Sequence, residues 1–299
     1  MPAAITHYLQ SQKVLEEMKK ENIQVQNSDA FLWGAQGPDF LFTHRYLPWQ
    51  RGKSLCPWGG KIHREAPEPF FRALRNVCGQ MPGSLMRSYA YGFLCHYSLD
   101  RTAHPYVYYW ANFLKEKDPS QDLSVYHNEI ESALDTIVLR SELGELPVDF
   151  PLTRTVPQDE TVQQKIAELY QQVILSAYGK KVSQEALYQA TKDCRTAFRL
   201  LTDKTGLKRA FLRKIEHSGK MVTSHIRPIM EDENFDYANI LLAPWSWEGA
   251  EGNGSFFDLV DQSVEDSMEL IRHFFSTDDF HEFTEDRNFE GRVILSESD

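Results

Sequence analysis

Apolar side chains recur at helical spacing along most of this 299-residue chain, and this pattern limits the fold more than any other feature of the sequence. Near the start, Tyr8, Val14 and Met18 lie on one face of a helix that would reach about Lys20. Alternation with a period of two, the mark of a strand, occurs only in a short tail around Arg292 to Leu295. The predicted fold class is therefore all-α, a multi-helix bundle.

The longest predicted helix is strongly apolar and begins at Ser84, whose hydroxyl suits an N-cap. It would end at about Ala103, because the residue before Pro105 resists helical geometry. Two segments rich in turn-forming residues are predicted as loops, Gly144 to Asp159 and Pro244 to Gly254. Further helices are predicted from Pro67 or Pro69 through Val77, from about Val125 to Arg140, from Ile166 to Gly179, over Ser183–Leu201 and Leu207–His217, and from Phe256 through Ile271.

The proline-rich loop is the natural boundary within the chain. It separates a metal-binding helical core (residues 1–140) from a helical C-terminal part (residues 161–299), with residues 141–160 as the connection. A chain of 299 residues can bury a sizeable core. We expect the two parts to pack together as one domain.

The charge balance is acidic: 32 Lys and Arg stand against 43 Asp and Glu, a formal net charge of −11. An acidic surface repels phosphate backbones, so double-stranded nucleic acid is not an expected partner. A small phosphodiester remains compatible with this charge, because bound metal ions reverse the sign of the field inside a pocket. The oligomeric state is not indicated by the sequence.

Cysteine spacing and hydropathy indicate a cytoplasmic protein. No secretory signal is visible in the first residues, and no apolar stretch approaches the roughly 18 residues of a transmembrane helix. The cysteines form no C-x-x-C pair and are predicted to be reduced thiols. They are Cys56, Cys78, Cys95 and Cys194.

Histidines and carboxylates recur at intervals of four residues in the first half of the chain. His96 and Asp100 lie one turn apart on the long apolar helix, so a single ion could bind both. His127 and Glu131 repeat this spacing on the next helix, and His104 follows at or just past the predicted helix end. Such pairs also occur as ordinary contacts on a helix surface. Two pairs on successive helices favour a metal site.

The surroundings of Asp100 strengthen this interpretation. An unpaired carboxylate among the neighbouring aromatic and aliphatic side chains would carry a heavy desolvation penalty, which a metal would offset. Upstream, Gly37 and Pro38 fix a tight turn that can aim the carboxylate of Asp39 inward, although the Asp could equally cap the segment after the turn. His63, in a loop, and His44 compete for one further ligand position.

The order of these motifs resembles the zinc-dependent phospholipase C family, and within it the intracellular bacterial branch. The likeness runs through Thr6-His7-Tyr8, Gly37-Pro38-Asp39, a loop histidine, and the stretch from Tyr91 to Asp100 followed by His104-Pro105-Tyr106. The resemblance implies a phospholipase C or single-strand nuclease type of bundle with a multinuclear zinc site between the helices. It implies eight ligands: His7, Asp39, His63, His96, Asp100, His104, His127 and Glu131.

The resemblance also implies how the ligands divide among two or three zinc ions. Asp39, His63, His96 and Asp100 would hold one ion, with Asp100 bridging to a neighbour. His104, His127 and Glu131 would hold a second ion. A third ion would use His7, completed in secreted relatives by the terminal amine of the chain. Here that amine would have to come from Pro2 after loss of Met1. Ligands of this type also suit Mn or Fe.

The implied activity is phosphodiester hydrolysis on a small phosphodiester or phospholipid. A metal-bridging hydroxide would attack phosphorus in line, and Asp39 would accept a proton from the attacking water. Two alternatives stay open: a single-strand nuclease-like phosphodiesterase, and a non-catalytic helical protein with a structural metal.

Two further features are interpreted as structural. Trp245 and Trp247 are predicted as core aromatics rather than a lipid-contacting flap. The basic pairs Lys208-Arg209 and Arg213-Lys214 are predicted as a solvated helix face.

Overall fold

The computed structural model of the protein describes residues 3–47, 49–80, 84–216 and 221–294. Across those ranges the chain forms twelve α-helices and one short hairpin, which confirms the all-α prediction. The helices are α1 (Ala4–Lys20), α2 (Ser28–Ala35), α3 (Cys56–Arg64), α4 (Glu68–Gln80), α5 (Ser84–Lys117), α6 (Leu123–Leu143), α7 (Glu160–Tyr178), α8 (Gln184–Leu201), α9 (Leu207–Ile215), α10 (Met221–Ser224), α11 (Phe256–His273) and α12 (Phe280–Thr284). The other elements are the 3₁₀ helices Gly37–Thr43 and Leu152–Arg154 and the antiparallel strands β1 (Trp245–Trp247) and β2 (Ala250–Gly252).

Side-chain caps and a glycine fix where several helices begin and end. Asn27 caps α2 by accepting a hydrogen bond from the Ala30 N–H at 2.8 Å. Ser255 and Asp258 form a capping box at the start of α11. After α7, Gly179 adopts a left-handed φ of 64°, which a residue without Cβ tolerates at no steric cost. The predicted stop at Gly179 is confirmed.

Most other helix boundaries predicted from the sequence agree with the structure. Helix α1 ends at Lys20, α5 begins at Ser84 and α8 ends at Leu201. Helices α4, α6 and α11 cover the ranges predicted for them, each with a few additional residues. Helix α9 ends at Ile215, and His217, the predicted last residue of this helix, lies outside the described residues.

Helix α5 contradicts the predicted end near Ala103, because it continues through Pro105 for three further turns. Proline lacks an N–H and so deprives the carbonyl of Arg101, one turn earlier, of its helical partner, at a local cost of about 3 kcal/mol. The chain at Gly291 packs closely against Pro105 and this carbonyl. The prediction was wrong because burial beyond the proline outweighs the local cost. The buried side chains there are Tyr106, Val107, Trp110 and Ala111.

Several regions hold regular structure that was not predicted from the sequence, among them α10, α12 and the 3₁₀ helix Leu152–Arg154 inside the predicted Gly144–Asp159 loop. Residues 28–64 contain α2, a 3₁₀ helix and α3, where a tight turn and loops were expected. The predicted Pro244 to Gly254 loop contains the β1–β2 hairpin, with Ser246 paired to Glu251. In the predicted tail strand, Val293 forms one isolated bridge with Arg287, and Leu295 lies outside the described residues.

Helix α5 is the centre of the fold, and α2 crosses it with the two backbones in direct contact. A Cβ at Gly34 of α2 would collide with the Tyr89 carbonyl oxygen, and one at Gly92 of α5 would collide with the Phe31 carbonyl oxygen. Only glycine permits this approach. The crossing matters for function because it places the 3₁₀ helix after α2 beside the middle of α5.

Helices from both parts of the chain share one buried cluster. Helix α11 packs against α1 and α5, α7 packs against α4, and α8 packs against the 3₁₀ helix Gly37–Thr43. Rings from distant segments meet there, as Phe71 of α4 lies between Phe93 of α5 and Phe289 near the end of the chain. All four cysteines are free thiols, three of them buried. In the described ranges no helix has the length and hydrophobicity to cross a bilayer.

Candidate metal centre

The eight candidate ligands of the sequence analysis lie together between α1, the first 3₁₀ helix, α3, α5 and α6. They form three groups, two of which share His96, and within each group one nitrogen or oxygen atom from every member lies within 4.8 Å of the others. Over the described residues, these groups are His7, His96 and Asp100; Asp39, His63 and His96; and His104, His127 and Glu131.

Helix α5 supplies three of these side chains from successive turns. His96, Asp100 and His104 are spaced by four residues and therefore lie on one face. The predicted position of His104 at the helix end was wrong, because the helix runs through Pro105. Continuation of the helix is what aligns His104 with the other two side chains.

The carboxylate of Asp100 is surrounded by imidazoles. Its Oδ1 lies 3.1 Å from Nε2 of His7 and 3.9 Å from Nδ1 of His104. Its Oδ2 lies 3.3 Å from Nε2 of His96 and 3.4 Å from Nε2 of His63. Since both oxygens face different histidines, Asp100 has the geometry of a carboxylate that can serve two ions.

Asp39 reaches this cluster from a 3₁₀ helix, where a tight turn was predicted. Gly37 has a φ of 54°, and a Cβ there would collide with the ring of His96, so glycine lets the backbone lie against that histidine. The Asp39 Oδ1 atom is 3.1 Å from Nε2 of His63 and 3.9 Å from Nε2 of His96.

His63 lies on α3 rather than in the predicted loop. The glycines at 59 and 60 favour a loop on local grounds, but α3 includes them. His44 lies outside the three groups and has a structural contact instead: its Nδ1 accepts a hydrogen bond from the Leu55 N–H at 3.0 Å. Of the two competing histidines, the structure brings His63 to the cluster.

The third group joins α5 to α6. Oε1 of Glu131 lies 3.3 Å from Nε2 of His127 and 3.6 Å from Nε2 of His104. The other ring nitrogen of His104, Nδ1, lies 2.7 Å from the carbonyl oxygen of Phe289. A carbonyl only accepts, so Nδ1 carries the proton and Nε2 is left facing the glutamate. His63 is oriented in the same way, with Nδ1 2.7 Å from the carbonyl of Gly59.

Burial and mutual attraction control the charges of this cluster. Burial opposes ionisation of Asp100, yet the imidazoles of His96 and His104 hold the pKa of its carboxyl well below the usual range. Burial alone would lower the pKa of His63, but the carboxylates of Asp100 and Asp39 raise it to about 10. The cluster therefore stabilises positive charge, whether protons or metal ions.

The donor set fits divalent metal ions. Nδ1 of His96, a residue that is 0% exposed, and Nδ1 of His7 are buried without a hydrogen-bond partner among the described residues. Unpartnered buried nitrogens cost free energy that coordination would offset. All eight side chains offer imidazole nitrogen or carboxylate oxygen, the ligands of zinc and of related borderline metals.

A cavity of about 190 Å³ opens onto this cluster. Four of its larger wall side chains were not predicted as site residues: Phe42, Arg64, Tyr108 and Glu290. Tyr108 follows His104 by four residues on α5, so the same helical spacing would have found it had the helix been extended through the proline. Its hydroxyl donates to Oε1 of Glu290 at 3.2 Å. Glu290 lies in an irregular segment, for which no local pattern exists.

A buried network anchors α1, the helix of His7. The carboxylate of Asp135 on α6 accepts hydrogen bonds from the Ile5 N–H at 3.2 Å and from the Thr6 N–H at 2.8 Å. The Thr6 hydroxyl and the guanidinium of Arg227 donate to the same carboxylate, with the Arg227 Nη2 at 2.7 Å. Because N–H groups of the first turn lack helical partners, Asp135 satisfies them and fixes the helix start. Asp135 was not predicted from the sequence as a residue that supports the site.

The tryptophan hairpin is part of the structure around the site. Trp245 is buried and contacts the ring of Tyr106 edge-on. Trp247 stacks on the ring of Tyr108 with centroids 5.4 Å apart. The prediction of core aromatics is confirmed for Trp245, whereas Trp247 is half-buried and lies outside the core cluster.

The helical bundle and its three neighbouring groups of histidines and carboxylates on one cavity define the class of the protein: an all-α protein with a candidate multinuclear metal site. A sequence model of the family described as zinc dependent phospholipase C matches residues 5–193. The match covers more than half of the chain, and the chain belongs to that family. No curated protein and no solved structure matches the chain. The family resemblance predicted from the motifs is confirmed, and with it a hydrolase family that is zinc-dependent and acts on phospholipids.

Proposed function

We propose that the protein is a zinc-dependent hydrolase that cleaves a phosphodiester bond of a phospholipid or a similar small molecule. The observation that carries this proposal is the carboxylate of Asp100, whose two oxygens lie within 3.4 Å of Nε2 atoms from His7, His63 and His96. A buried carboxylate surrounded by imidazoles from several helices is the kind of arrangement in which helical bundles hold more than one metal ion.

The eight side chains are proposed to hold two or three zinc ions. Asp39 and His63 would share one ion with His96 and Asp100, and His104 would share another with His127 and Glu131. His7, next to His96 and Asp100, would contribute to a third. Met1 and Pro2, which the family resemblance connects with that ion, lie outside the described residues.

Zinc held by these side chains would supply Lewis acidity toward a phosphate group and would lower the pKa of water toward neutral. The remaining roles belong to the chain. Asp39 is proposed to accept the proton of the attacking water at its carboxylate, which the neighbouring imidazoles keep ionised although burial opposes it. Among the described side chains of the cavity wall, Arg64 is the cation that is not a candidate ligand. It would pair with a phosphate oxygen.

The test is the zinc content of the natively purified protein, measured by mass spectrometry together with hydrolysis of phosphatidylcholine. We expect two or three zinc per chain, and loss of both zinc and activity in the double variant His96→Ala, Asp100→Ala. The matched control is His273→Ala, Glu269→Ala. This pair has the same spacing on α11, with His273 Nε2 3.1 Å from Glu269 Oε1, but it is exposed. It should retain all zinc.

Other outcomes separate the alternatives. No zinc after reconstitution would refute the proposal. Cleavage of single-stranded DNA in place of phosphatidylcholine would favour the nuclease, against which the net charge of −11 argues. Full zinc content without hydrolysis of either substrate would identify a non-catalytic metal-binding protein.

A further inference from the structure

A second cavity, of about 460 Å³, lies beside the metal cavity and is lined mainly by hydrophobic side chains. Its walls come from the 3₁₀ helix that carries Asp39, the loop after it, α8, α9 and the chain after α10. The volume falls in the range of about 300–1,000 Å³ that is usual for small-molecule sites. The hydrophobic wall includes Phe42, Leu47, Ala197, Leu201, Leu212 and Ile226.

The two cationic side chains in this wall, Lys208 and Arg227, are occupied by contacts within the protein. Nζ of Lys208 donates to the carbonyl oxygens of Leu200 at 2.6 Å and Thr202 at 2.7 Å. Arg227 donates to the buried Asp135 carboxylate. These groups therefore have no need of a polar ligand, and the pocket selects an apolar one.

The apolar pocket and the metal cavity are adjacent and share one wall residue. Phe42 lines both, and its ring lies 5.3 Å from the ring of His63 between centroids. On another side, Nε2 of His225 in the apolar pocket is 3.5 Å from the side-chain nitrogen of Asn128, the residue after His127 on α6. A molecule with its polar part at the metal cavity can place an apolar extension in this pocket.

The pocket is open to solvent. Tyr46 and Leu200 line it and are 42% and 46% exposed. Helix α9, one of its walls, buries none of its residues and carries the four basic side chains of the Lys208-Arg209 and Arg213-Lys214 pairs. An exposed apolar concavity of this kind marks a binding site rather than a packing defect.

We propose that this pocket binds an acyl chain of the lipid whose phosphodiester lies at the metal cavity. The identity of the lipid rests on the proposed function. The placement of its acyl chain rests on the apolar wall of the pocket and on the contact of that wall with the metal cavity. The pocket then selects substrates by chain length. Each methylene buried there strengthens binding by roughly fourfold.

The test compares two lysine substitutions on the same helix. Leu212 lines the pocket, whereas its neighbour Phe211 is 63% exposed and does not. The zinc-loaded full-length protein is titrated with a pyrene-labelled long-chain alcohol, a probe without an anionic group for the metals. We expect saturable binding at one site, weakened at least about tenfold by Leu212→Lys and less than twofold by Phe211→Lys. Leu200→Lys, on α8, supplies a second variant of the wall with the same expected loss.

Equal effects of the two α9 variants, or the absence of saturable binding, would overturn the inference. Binding of a second copy of the protein at this surface, detected as a dimer that Leu212→Lys dissociates, would overturn it too. Hydrolysis is measured separately on glycerophosphocholine and on dibutyroyl phosphatidylcholine. Loss of the preference for the acylated diester in Leu212→Lys alone would support the inference. Probe binding without hydrolysis of either diester would support the apolar pocket as a binding site and would refute only the proposed function.

Discussion

The two halves of the candidate metal centre are built in different ways. On one side, α5 and α6 provide five candidate ligands from two continuous helices at intervals of four residues. On the other side, His7, Asp39 and His63 come singly from α1, a 3₁₀ helix and α3. Local geometry positions the first half, whereas the second depends on contacts that hold separate elements against α5. The second half should therefore be the more sensitive to perturbation outside the site.

Removal of the metals should give the largest effect and should separate the halves. For a site saturated about 1,000-fold over Kd, chelation costs roughly 4 kcal/mol of unfolding free energy. We expect the melting temperature to fall on addition of a chelator. Amide hydrogen exchange should rise more in α1 and α3 than in α5, because α5 keeps its own helical hydrogen bonds. An equal rise in hydrogen exchange in α1, α3 and α5 would contradict the proposed difference between the two halves of the metal centre.

Substitution of Asp135 should damage the singly supplied half. Asp135→Ala leaves Arg227 buried without its partner and the first N–H groups of α1 unsatisfied, at a cost of roughly 3 to 5 kcal/mol. Because His7 lies directly after Thr6, we expect loss of about one zinc per chain in addition. Denaturant unfolding and zinc content measure the two effects.

The control for this prediction is Asp266→Ala, which removes another partner of a buried arginine. Asp266 pairs with Arg101 on the far side of the cluster, with Oδ2 2.9 Å from Nε. It should lower stability but leave the zinc content unchanged. Equal zinc loss in both variants would show that the effect is global.

The glycine crossing of α2 and α5 is expected to be next in magnitude. In Gly92→Ala the new Cβ meets the backbone carbonyl of Phe31 and forces the helices apart, at about 1 to 3 kcal/mol. Asp39 follows α2 and should move with it, so zinc affinity should fall as well. Gly79→Ala on α4 is the matched control. Among the described residues its Cβ has no neighbour within 4 Å, and the higher helix propensity of alanine should stabilise the protein by up to about 1 kcal/mol.

The same difference explains how much of the site could be predicted from the sequence. His96, Asp100, His127 and Glu131 could be predicted because the helical period is local, and the family motifs added the others. His104 was misplaced at a helix end because Pro105 is a local signal for termination, and the burial that overrides it is not local. Asp135 and Glu290 gave no signal at all. Their partners lie 129 and 182 residues away in the chain, so only the folded structure joins them.

The smallest effect is expected from Tyr108→Phe. Tyr108 lies in the wall of the metal cavity beside Glu290, which comes from near the end of the chain. The substitution removes the hydrogen bond to Glu290, about 1 kcal/mol, and keeps the stacking of the ring on Trp247. Glu290 remains near Arg292, with Oε2 3.4 Å from Nε, so the segment stays in place. We expect zinc content to be unchanged and KM for a phosphodiester to shift less than about tenfold, with Tyr109→Phe as the control. Loss of zinc from Tyr108→Phe would show that this part of the cavity wall supports the α5–α6 half of the metal centre. That half would then depend on tertiary contacts as well, and the difference between the two halves would be refuted.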